Sequence, residues 1–408
     1  MSKQKIYNDP VYGFISIPFP LISELIEHPY FQRLRRIKQL GLTHYVYPGA
    51  LHTRFHHALG ASYLITQAIE TLRSKDIVIS NEEAEAVTVA ILLHDIGHGP
   101  FSHALEHSIV TDVNHEMISA LFMDELNKQF DGRLQMAIAI FQNRYHKKFL
   151  HQLVSSQLDM DRLDYLNRDS FFTGVSEGVI SSERIIRMLD VHDDSLVVEQ
   201  KGIYSIEKFI IARRLMYWQV YLHKTVLAAE NLLVNILKRA KELSEKNVEL
   251  FATPAFAFFL KNKITNSDFN ANDNVLKQFA ALDDFDVFTS IKVWCNHDDK
   301  ILAQLCVNLI DRKLYKIKIQ KEKIDTAELK SMQQKATTVF NIEQQAADYF
   351  AFEGEVINNA YKITSENINI LFKDGAVLDI ANASDNLNIS VLAEPIVKHY
   401  LCVDRRLV

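Results

Sequence analysis

Apolar residues recur at helical spacing through most of the first 245 positions of the chain. Between residues 20 and 40 they stand three or four positions apart, as on one face of an amphipathic helix. The same spacing appears in the further segments 56–75, 82–96, 115–128, 150–167 and 206–242. Gly 12 and Pro 8 are low counts for 408 residues and disfavour a turn-rich β fold. The pattern therefore predicts a mainly α-helical bundle over 1–245.

The pattern changes after residue 245. Helical spacing continues near 249–263, 272–280 and 297–310. Strand-like runs follow at 313–320, 352–357, 368–372 and 396–403, with a turn at Lys373, Asp374 and Gly375. A chain of 408 residues exceeds the size at which single cores usually stop growing. We therefore expect an appended α+β region over 246–408.

A small β-hairpin is predicted inside the helical domain, at about 195–205. An apolar run follows Ser195, and Lys201 and Gly202 then supply residues that are typical of a tight turn. The hairpin is expected to be an excursion from the bundle.

Composition is that of a protein that stays in the cytoplasm. Hydrophobic residues make up 48% and charged residues 24% of the chain, no apolar run reaches the length of a membrane span, and the first residues lead into no signal region. The net charge of −6 argues against indiscriminate nucleic-acid binding, so a nucleic-acid partner is possible but not indicated. Cys295, Cys306 and Cys402 lack metal-ligand spacing and are expected to be buried thiols.

Histidine and aspartate stand together where a helical run meets a Gly/Pro break. His94 and Asp95 are adjacent at this point, with His57 upstream and Asp161 downstream. Imidazole and carboxylate groups suit a divalent Mg, Mn, Fe, Ni or Zn ion. Two histidines and two aspartates can enclose such an ion and leave positions open for substrate or water. We therefore predict one metal site with these four residues as ligands.

The alternative is that the His-Asp pair is an ordinary hydrogen-bonded unit in a partly buried helix. The surroundings argue against this, because further histidines follow at His98, His103 and His115. Buried imidazoles need partners, so this many without a shared task would be costly. The cluster therefore indicates a metal or phosphate site.

An ordered series of motifs resembles the HD-superfamily phosphohydrolases. Within them it is similar to the SAM-and-HD-domain deoxynucleoside triphosphate triphosphohydrolases and their bacterial relatives. The resemblance covers residues 5–245 and rests on the segments 8–13, 31–41, 45–50, 54–57, 94–103 and 161–169. It implies an HD-domain helical bundle without the SAM domain, since the catalytic-domain motifs start almost at residue 5.

The resemblance also implies roles for the histidines. It makes His57, His94, Asp95 and Asp161 the metal ligands, in agreement with the residue types. The positions of His98, His103 and His115 line the α-phosphate in the family, and His103 matches a proton donor to the leaving group. An imidazole suits that role because it titrates near neutrality. The alternative for His115 is a helix-start residue bonded to backbone.

Three arginines match positions that contact phosphate in the family: Arg54, Arg162 and Arg213. A guanidinium fork suits phosphate because it meets two oxygens at once. Arg162 replaces the lysine that is more usual there, so the charge is kept while the geometry changes. For Arg54, an exposed salt bridge is the alternative.

Recognition of the deoxyribose is implied at five further positions. Gln39 and Asp169 match residues that hydrogen-bond the 3′-hydroxyl. Leu40, Tyr165 and Tyr221 match residues that close around the sugar and exclude a 2′-hydroxyl, which would be buried without a partner. The alternative is that these three are ordinary core residues of helices.

A nucleotide effector site is implied in part. Lys5, Gln32 and Arg35 fall on matching positions, whereas Glu27 stands where the family has an aspartate that reads guanine. At a second effector position Glu199 replaces a basic residue. The resemblance thus implies a possible nucleotide activator and a homo-oligomer, a dimer or tetramer.

The function predicted from the sequence is metal-dependent hydrolysis of dNTP to deoxynucleoside and inorganic triphosphate, with attack of water or metal-bound hydroxide at the α-phosphorus. One alternative is an HD phosphohydrolase acting on another nucleotide or phosphoester. The other is a nucleotide-sensing or nucleic-acid-binding protein whose metal site is vestigial.

Overall fold

The computed structural model describes residues 5–101, 105, 114–358, 361, 367–385 and 395–408. Helices dominate up to residue 245. Their bounds are Pro20–Glu27, Pro29–Gln32, Arg54–Arg73, Asn81–Leu93, His115–Gln129, Gln135–Phe141, Lys148–Val154, Met160–Thr173, Ser182–Arg187, Ile203–Met216 and Lys224–Glu245. A π-helical turn, Tyr217–Tyr221, precedes the last of these helices.

The remaining elements are shorter. Later α-helices are Pro254–Lys261, Asn266–Ala271, Asp273–Ala280, Asp284–Trp294, Lys300–Ile310, Thr326–Phe340 and Ile380–Ala383. The 3-10 turns are Arg33–Arg36, Thr43–Tyr45, Ser176–Gly178, Gln200–Gly202, Gln344–Tyr349 and Arg405–Leu407. The strands are Ile6–Asp9, Gly13–Ser16, Leu189–His192, Ser195–Glu199, Lys316–Gln320, Ala351–Asn358, Asn369–Leu371, Val377–Asp379 and Ile396–Val403.

The helix Arg54–Arg73 lies at the centre of the bundle. It packs against Asn81–Leu93 on one side and Met160–Thr173 on another. Its side chains at Ala58, Ala61 and other positions on several faces are buried, because helices surround it. The packing therefore brings together residues from the first turns of Arg54–Arg73 and Met160–Thr173 and residues that directly follow Asn81–Leu93.

Local sequence defines where Asn81–Leu93 begins. The Ser80 hydroxyl accepts a hydrogen bond from the backbone N–H of Glu83, and the Glu83 carboxylate accepts one from the N–H of Ser80. This reciprocal capping satisfies two donors at the helix start. The apolar run that follows ends at Leu93, which places His94 at the carboxyl end of the helix.

The C-terminal region is α+β, as predicted. A three-stranded antiparallel sheet has Ile396–Val403 at its centre, between Lys316–Gln320 and Ala351–Asn358. A four-stranded sheet contains one parallel pair, formed by Ser195–Glu199 and Asn369–Leu371. This second sheet therefore joins strands from both sides of residue 245.

The hairpin lies earlier than predicted. Leu189–His192 pairs with Ser195–Glu199, and its turn is formed by Asp193 and Asp194, which have φ of 48° and 56°. Lys201 lies instead in a 3-10 turn that leads into the next helix. The hairpin is also no isolated excursion, because its second strand is part of the four-stranded sheet.

Other sequence predictions can be compared with the described residues. Most helical segments and the later strands lie close to their predicted positions, but the segment 20–40 consists of two short helices and a 3-10 turn. The elements that were not predicted are the first hairpin, the strand Val377–Asp379 and the helices Gln135–Phe141, Ser182–Arg187, Asn266–Ala271, Asp284–Trp294, Thr326–Phe340 and Ile380–Ala383. Cys306 and Cys402 are buried thiols, and Cys295 is half-buried. Among the described residues, no helix combines the length and the apolar character needed to cross a membrane.

Candidate functional site

The four predicted metal ligands meet where three helices converge. His57 comes from Arg54–Arg73, His94 and Asp95 follow Asn81–Leu93, and Asp161 is in the first turn of Met160–Thr173. The Oδ1 atom of Asp161 lies 3.0 Å from His57 Nε2 and 3.5 Å from His94 Nε2. Carboxylate oxygens of Asp95 lie 3.4 Å from His94 Nε2 and 3.9 Å from His57 Nε2.

These distances suit a shared divalent ion. Two ligand atoms bound at about 2.1 Å and at right angles are about 3 Å apart. The ring nitrogens are also available, because Nε2 of His57 and of His94 is buried and makes no aligned hydrogen bond among the described residues. The donor set therefore fits a metal, and an imidazole-carboxylate mixture does not identify which one.

The other ring nitrogen of each histidine has a partner that orients it. His94 Nδ1 lies 2.6 Å from the carbonyl oxygen of Ile91, and His57 Nδ1 lies 2.7 Å from Asp164 Oδ2. A carbonyl only accepts, so His94 Nδ1 carries a proton, and in the neutral imidazole Nε2 keeps the lone pair that a metal would need. Partners of this kind commonly fix the orientation of metal-binding histidines.

Asp164 belongs to a buried ion network behind the predicted metal ligands. Its carboxylate accepts hydrogen bonds from Arg168 at 2.9 Å and 3.0 Å, and Arg168 also donates to Asp9 at 2.7 Å. Gly60 makes room for this network, since a Cβ atom there would lie 2.0 Å from Asp164 Oδ1. The network was not predicted from the sequence, although Asp9, Asp164 and Arg168 all fall in the motifs.

The carboxylates give the site a strong preference for positive charge. Burial alone would lower the pKa of His57, but the nearby carboxylates of Asp161 and Asp164 raise it to about 10. Burial would raise the pKa of Asp161, yet His57 and His94 hold it far below its usual range. A divalent cation supplies the charge that this arrangement attracts.

Asp95 connects the predicted metal ligands to a second group of side chains. Arg54 donates to its Oδ2 at 2.6 Å, and His98 Nε2 lies 3.3 Å from its Oδ1. The rings of His98 and His115 stack with centroids 3.9 Å apart. Burial, and then the charge of Arg54, lower the pKa of His98 to about 3. His103 lies outside the described residues.

Arg33 holds the segment that carries His98, a role not predicted from the sequence. Its fully buried guanidinium donates to the carbonyl oxygen of His98 at 2.9 Å and to that of Ile96 at 3.0 Å. It also reaches the carbonyl of Leu282 at 3.4 Å, which links the segment to the C-terminal region. A buried charge of this kind is stable only with several acceptors.

Gly97 allows a second contact to the same segment. A Cβ atom there would lie 2.2 Å from the carbonyl oxygen of His115. Ser119 donates to the carbonyl of His94 at 2.7 Å and accepts from the N–H of Gly97 at 2.9 Å. The start of His115–Gln129 is thereby fixed against the segment that carries His94 and Gly97.

A cavity of about 400 Å³ adjoins the predicted metal ligands through Arg54, which lines it and donates to Asp95 at 2.6 Å. Four of the predicted substrate residues line it: Gln39, Leu40, Arg54 and Tyr221. The Tyr165 ring lies 6.2 Å from the Tyr221 ring, and Tyr221 donates to Asp169 Oδ2 at 2.8 Å. The predicted sugar residues are thus next to one another.

His52 is a further residue of this region that was not predicted. Its Nε2 donates to Asp169 Oδ1 at 2.8 Å, and its ring stacks on Phe172 with centroids 4.5 Å apart. Both oxygens of Asp169 therefore have donors. The π-helical turn Tyr217–Tyr221 brings the rings of Tyr217 and Tyr221 within 5.2 Å, so both face the cavity. Such turns occur frequently at functional sites.

The two other predicted phosphate contacts differ in their surroundings. Arg162 donates to the carbonyl oxygen of Ser156 and to the Asp159 carboxylate. The Arg162 guanidinium therefore already has acceptors within the protein. Burial raises the pKa of its partner Asp159 to about 6. The Arg213 guanidinium lies 5.9 Å from the Tyr217 ring, one of the cavity residues.

The predicted effector residues lie together on another surface. Lys5 pairs with Glu27, and Arg35 donates to Gln32 at 2.9 Å. The Arg35 guanidinium lies 3.5 Å from the centroid of the Phe55 ring. Gln32 also donates to the carbonyl of the residue before Glu27, at 2.7 Å. Glu199, at the second effector position, pairs with Lys75 at 2.5 Å.

Known proteins resemble this chain in sequence and in structure. The profile of the HD domain matches residues 54–169, and that of the HD associated region matches residues 180–254. The protein YwfO of Bacillus subtilis is 35% identical over 323 residues, which are 77% of this chain and 72% of that protein. A phosphohydrolase of Bacteroides thetaiotaomicron has a crystal structure with a TM-score of 0.96 and 54% identity, covering 99% of this chain and 100% of that one.

A more distant relative has an activity in its name. The deoxynucleoside triphosphate triphosphohydrolase SAMHD1 homolog of Dictyostelium discoideum is 30% identical over 257 residues. These are 58% of this chain and 50% of that protein, so the match spans half the length of the relative.

The converging helices and their His/Asp cluster define a phosphohydrolase of the HD type. The chain belongs to the HD phosphohydrolase family, and SAMHD1-type triphosphohydrolases are among its relatives. The family predicted from the sequence is thereby confirmed, as is a mainly α fold with an appended α+β region.

Proposed function

We propose that the protein hydrolyses deoxynucleoside triphosphates to a deoxynucleoside and inorganic triphosphate. The observation that supports this most is the position of the predicted sugar residues, Gln39, Leu40 and Tyr221, in a cavity whose wall includes Arg54. Arg54 in turn contacts the metal ligand Asp95 at 2.6 Å. The proposed metal site and the cavity therefore adjoin through one arginine.

In the proposed reaction, water attacks the α-phosphorus and the bond from phosphorus to the 5′ oxygen breaks. The leaving oxygen takes a proton and becomes the hydroxyl of the deoxynucleoside. A divalent metal supplies charge stabilisation for the phosphate oxygens when bound. His57, His94, Asp95 and Asp161 would hold it.

The other residues orient the substrate. Arg54 is close enough to the metal ligands to bind a phosphate oxygen while contacting Asp95. His98 and His115 form a stacked pair on the same side of Asp95 and would line the α-phosphate. His103 is the proposed proton donor to the leaving oxygen, on the resemblance alone.

Sugar selection follows from closure of the cavity around the 2′ position. Tyr221 is tied to Asp169, which His52 also holds, so its ring cannot move away without breaking hydrogen bonds. A 2′-hydroxyl placed against Leu40 and this ring would lose its bond to water. Loss of a buried hydrogen bond costs about 1–3 kcal/mol.

Product analysis is the direct test. We expect purified protein with Mg or Mn to release triphosphate from each active dNTP, with kcat/KM at least about tenfold above that for the matching NTP. Chromatography that separates triphosphate, pyrophosphate and phosphate measures both statements. Release of pyrophosphate or phosphate would contradict the proposed cleavage site, and activity on another phosphoester alone would contradict the substrate.

We also propose that Lys5, Glu27, Gln32 and Arg35 form a nucleotide effector site and that the protein is a homo-oligomer. The support is their clustering on a surface apart from the cavity, with donors and acceptors from all four side chains. A nucleotide that binds one assembly better would shift the protein toward it.

Arg35→Ala is expected to abolish activation by an added nucleotide while leaving metal content unchanged, because it removes the exposed guanidinium of the proposed effector site. Rates with one dNTP as substrate and each other nucleotide as activator measure the effect, and sedimentation measures the assembly. Arg133→Ala, at an exposed pair with Glu24, is the matched control. Kinetics of the unaltered protein that no nucleotide changes, with one constant oligomer size, would leave these residues with structural roles alone.

A further inference from the structure

A carboxylate without a partner lines the cavity beside the metal site. Glu230 comes from the helix Lys224–Glu245 and shares the cavity wall with Arg54 and Tyr221. Within the part of the chain that the structure describes, no hydrogen bond or ion pair engages its side chain. Burial raises its pKa to about 7. An acidic group in such a position is costly for folding alone, which points to a ligand.

Glu230 does not neutralise the cations of the cavity wall. Arg54 is paired with Asp95 at 2.6 Å, and Lys38 Nζ lies 3.6 Å from Asp284 Oδ2. Lys38 also donates to Asp284 through its backbone N–H at 3.0 Å. Both cations therefore have carboxylates of their own, and Glu230 is left to face the space of the cavity.

The position of the helix indicates which part of a nucleotide Glu230 would meet. Lys224–Glu245 packs on the turn Thr43–Tyr45 and on Pro254–Lys261 and Lys300–Ile310, whereas the metal ligands come from other elements. A carboxylate beside the phosphates would repel them. None of His57, His94, Asp95 and Asp161 is among the residues that line this cavity, so Glu230 suits the uncharged part of the substrate.

The remaining lining of the cavity suits a flat, partly apolar group. Leu222 and Leu233 provide aliphatic surface, and Phe101 and Tyr217 provide aromatic rings. Aromatic side chains bind nucleobases by stacking, whichever base is present. A carboxylate among such residues can then distinguish bases by their hydrogen-bond donors.

We propose that Glu230 reads the nucleobase in this cavity and favours guanine. Guanine presents an N1–H and an amino N–H side by side, and the two carboxylate oxygens can accept both. Adenine and cytosine place a ring acceptor beside the amino group, and thymine flanks its single N–H with carbonyls, so each puts an acceptor near the carboxylate. The inference rests on the proposed function for the identity of the cavity as a nucleotide site, and it adds a base preference.

Nucleoside binding tests the proposal without requiring hydrolysis. Calorimetry with deoxyguanosine, deoxyadenosine, deoxycytidine and thymidine is expected to show the tightest binding for deoxyguanosine. Glu230→Gln should weaken the binding of deoxyguanosine about 10- to 100-fold, since two hydrogen bonds to a charged acceptor are altered. The binding of thymidine should weaken less than about threefold. Glu230→Asp keeps the charge but shortens the side chain, so its affinity for deoxyguanosine should lie between those of the unaltered protein and Glu230→Gln.

Glu245→Gln is the matched control, because it changes an exposed glutamate on the same helix and should leave all four affinities unchanged. Thermal unfolding checks that Glu230→Gln is folded, and loss of a buried charge should not lower its Tm. A guanine preference that disappears in Glu230→Gln supports the inference even if the protein releases no triphosphate from any dNTP. Equal or undetectable affinities for the four nucleosides in the unaltered protein, or a preference that survives Glu230→Gln and Glu230→Asp, overturn it even if dNTP hydrolysis is observed.

Discussion

Replacing Asp95 by alanine is expected to remove the bound metal and to lower turnover by more than about 10³-fold, since charge stabilisation and phosphate orientation are lost together. Asp95 lies 3.4 Å from His94 Nε2, 3.3 Å from His98 Nε2 and 2.6 Å from Arg54 Nη1. Its removal therefore affects a ligand position, a proposed phosphate contact and the α-phosphate histidines at once. Elemental analysis of the purified variant measures the metal, and initial rates measure turnover.

Two variants make this experiment specific. Asp95→Asn keeps the volume and an acceptor for Arg54 but removes the charge, so it should retain the fold and still bind metal poorly. Asp124→Ala changes an exposed aspartate on His115–Gln129 and should leave metal content and turnover unaffected. Normal metal content in Asp95→Ala would contradict the ligand assignment, whatever its activity.

The four residues that gather in the proposed metal site could be predicted, because chemistry restricts which residue types can share such a site. A cluster of imidazole and carboxylate groups has few functions other than metal binding. The order of the motifs along the chain then indicates which positions form the cluster: His57, His94, Asp95 and Asp161. The residues behind them are harder to predict. Arg33 binds backbone carbonyls, and its sequence context does not show which carbonyls the fold will bring near.

The hairpin shows where local patterns mislead. Lys201 and Gly202 look like a turn, but a Cβ at Gly202 would lie 2.5 Å from Val198 Cγ1, so this glycine serves close packing. The turn instead uses Asp193 and Asp194 at positive φ. Aspartate tolerates that conformation better than most residues, although glycine is the stronger signal.

Contacts between distant segments could not be predicted from periodicity. Val198 pairs with Ile370 in a parallel register, although their segments lie on opposite sides of the expected domain boundary. An alternating pattern indicates a strand but does not name its neighbour. Glu230 is a similar case, because its helical pattern predicts a helix and only the fold reveals that its carboxylate lines the cavity.

The buried network behind His57 leads to the largest expected change in stability. Arg168→Ala is expected to lower the free energy of unfolding by about 3–5 kcal/mol, because it leaves the buried carboxylates of Asp9 and Asp164 without their counter-charge. Denaturant titration at fixed protein concentration and neutral pH measures it.

The surface supplies the control for this prediction. Arg187 pairs with Glu183 through side chains that are 69% and 80% exposed, and exposed pairs of this kind contribute about 0–1 kcal/mol. Arg187→Ala should therefore change stability by less than about 1 kcal/mol. Arg168→Lys should lie between the two alanine variants, since an ammonium keeps the charge but cannot reach Asp9 and Asp164 with the same fork of donors. A loss in Arg168→Ala no larger than that in Arg187→Ala would show that Asp9 and Asp164 do not depend on this guanidinium, and the orientation of His57 would then need another source.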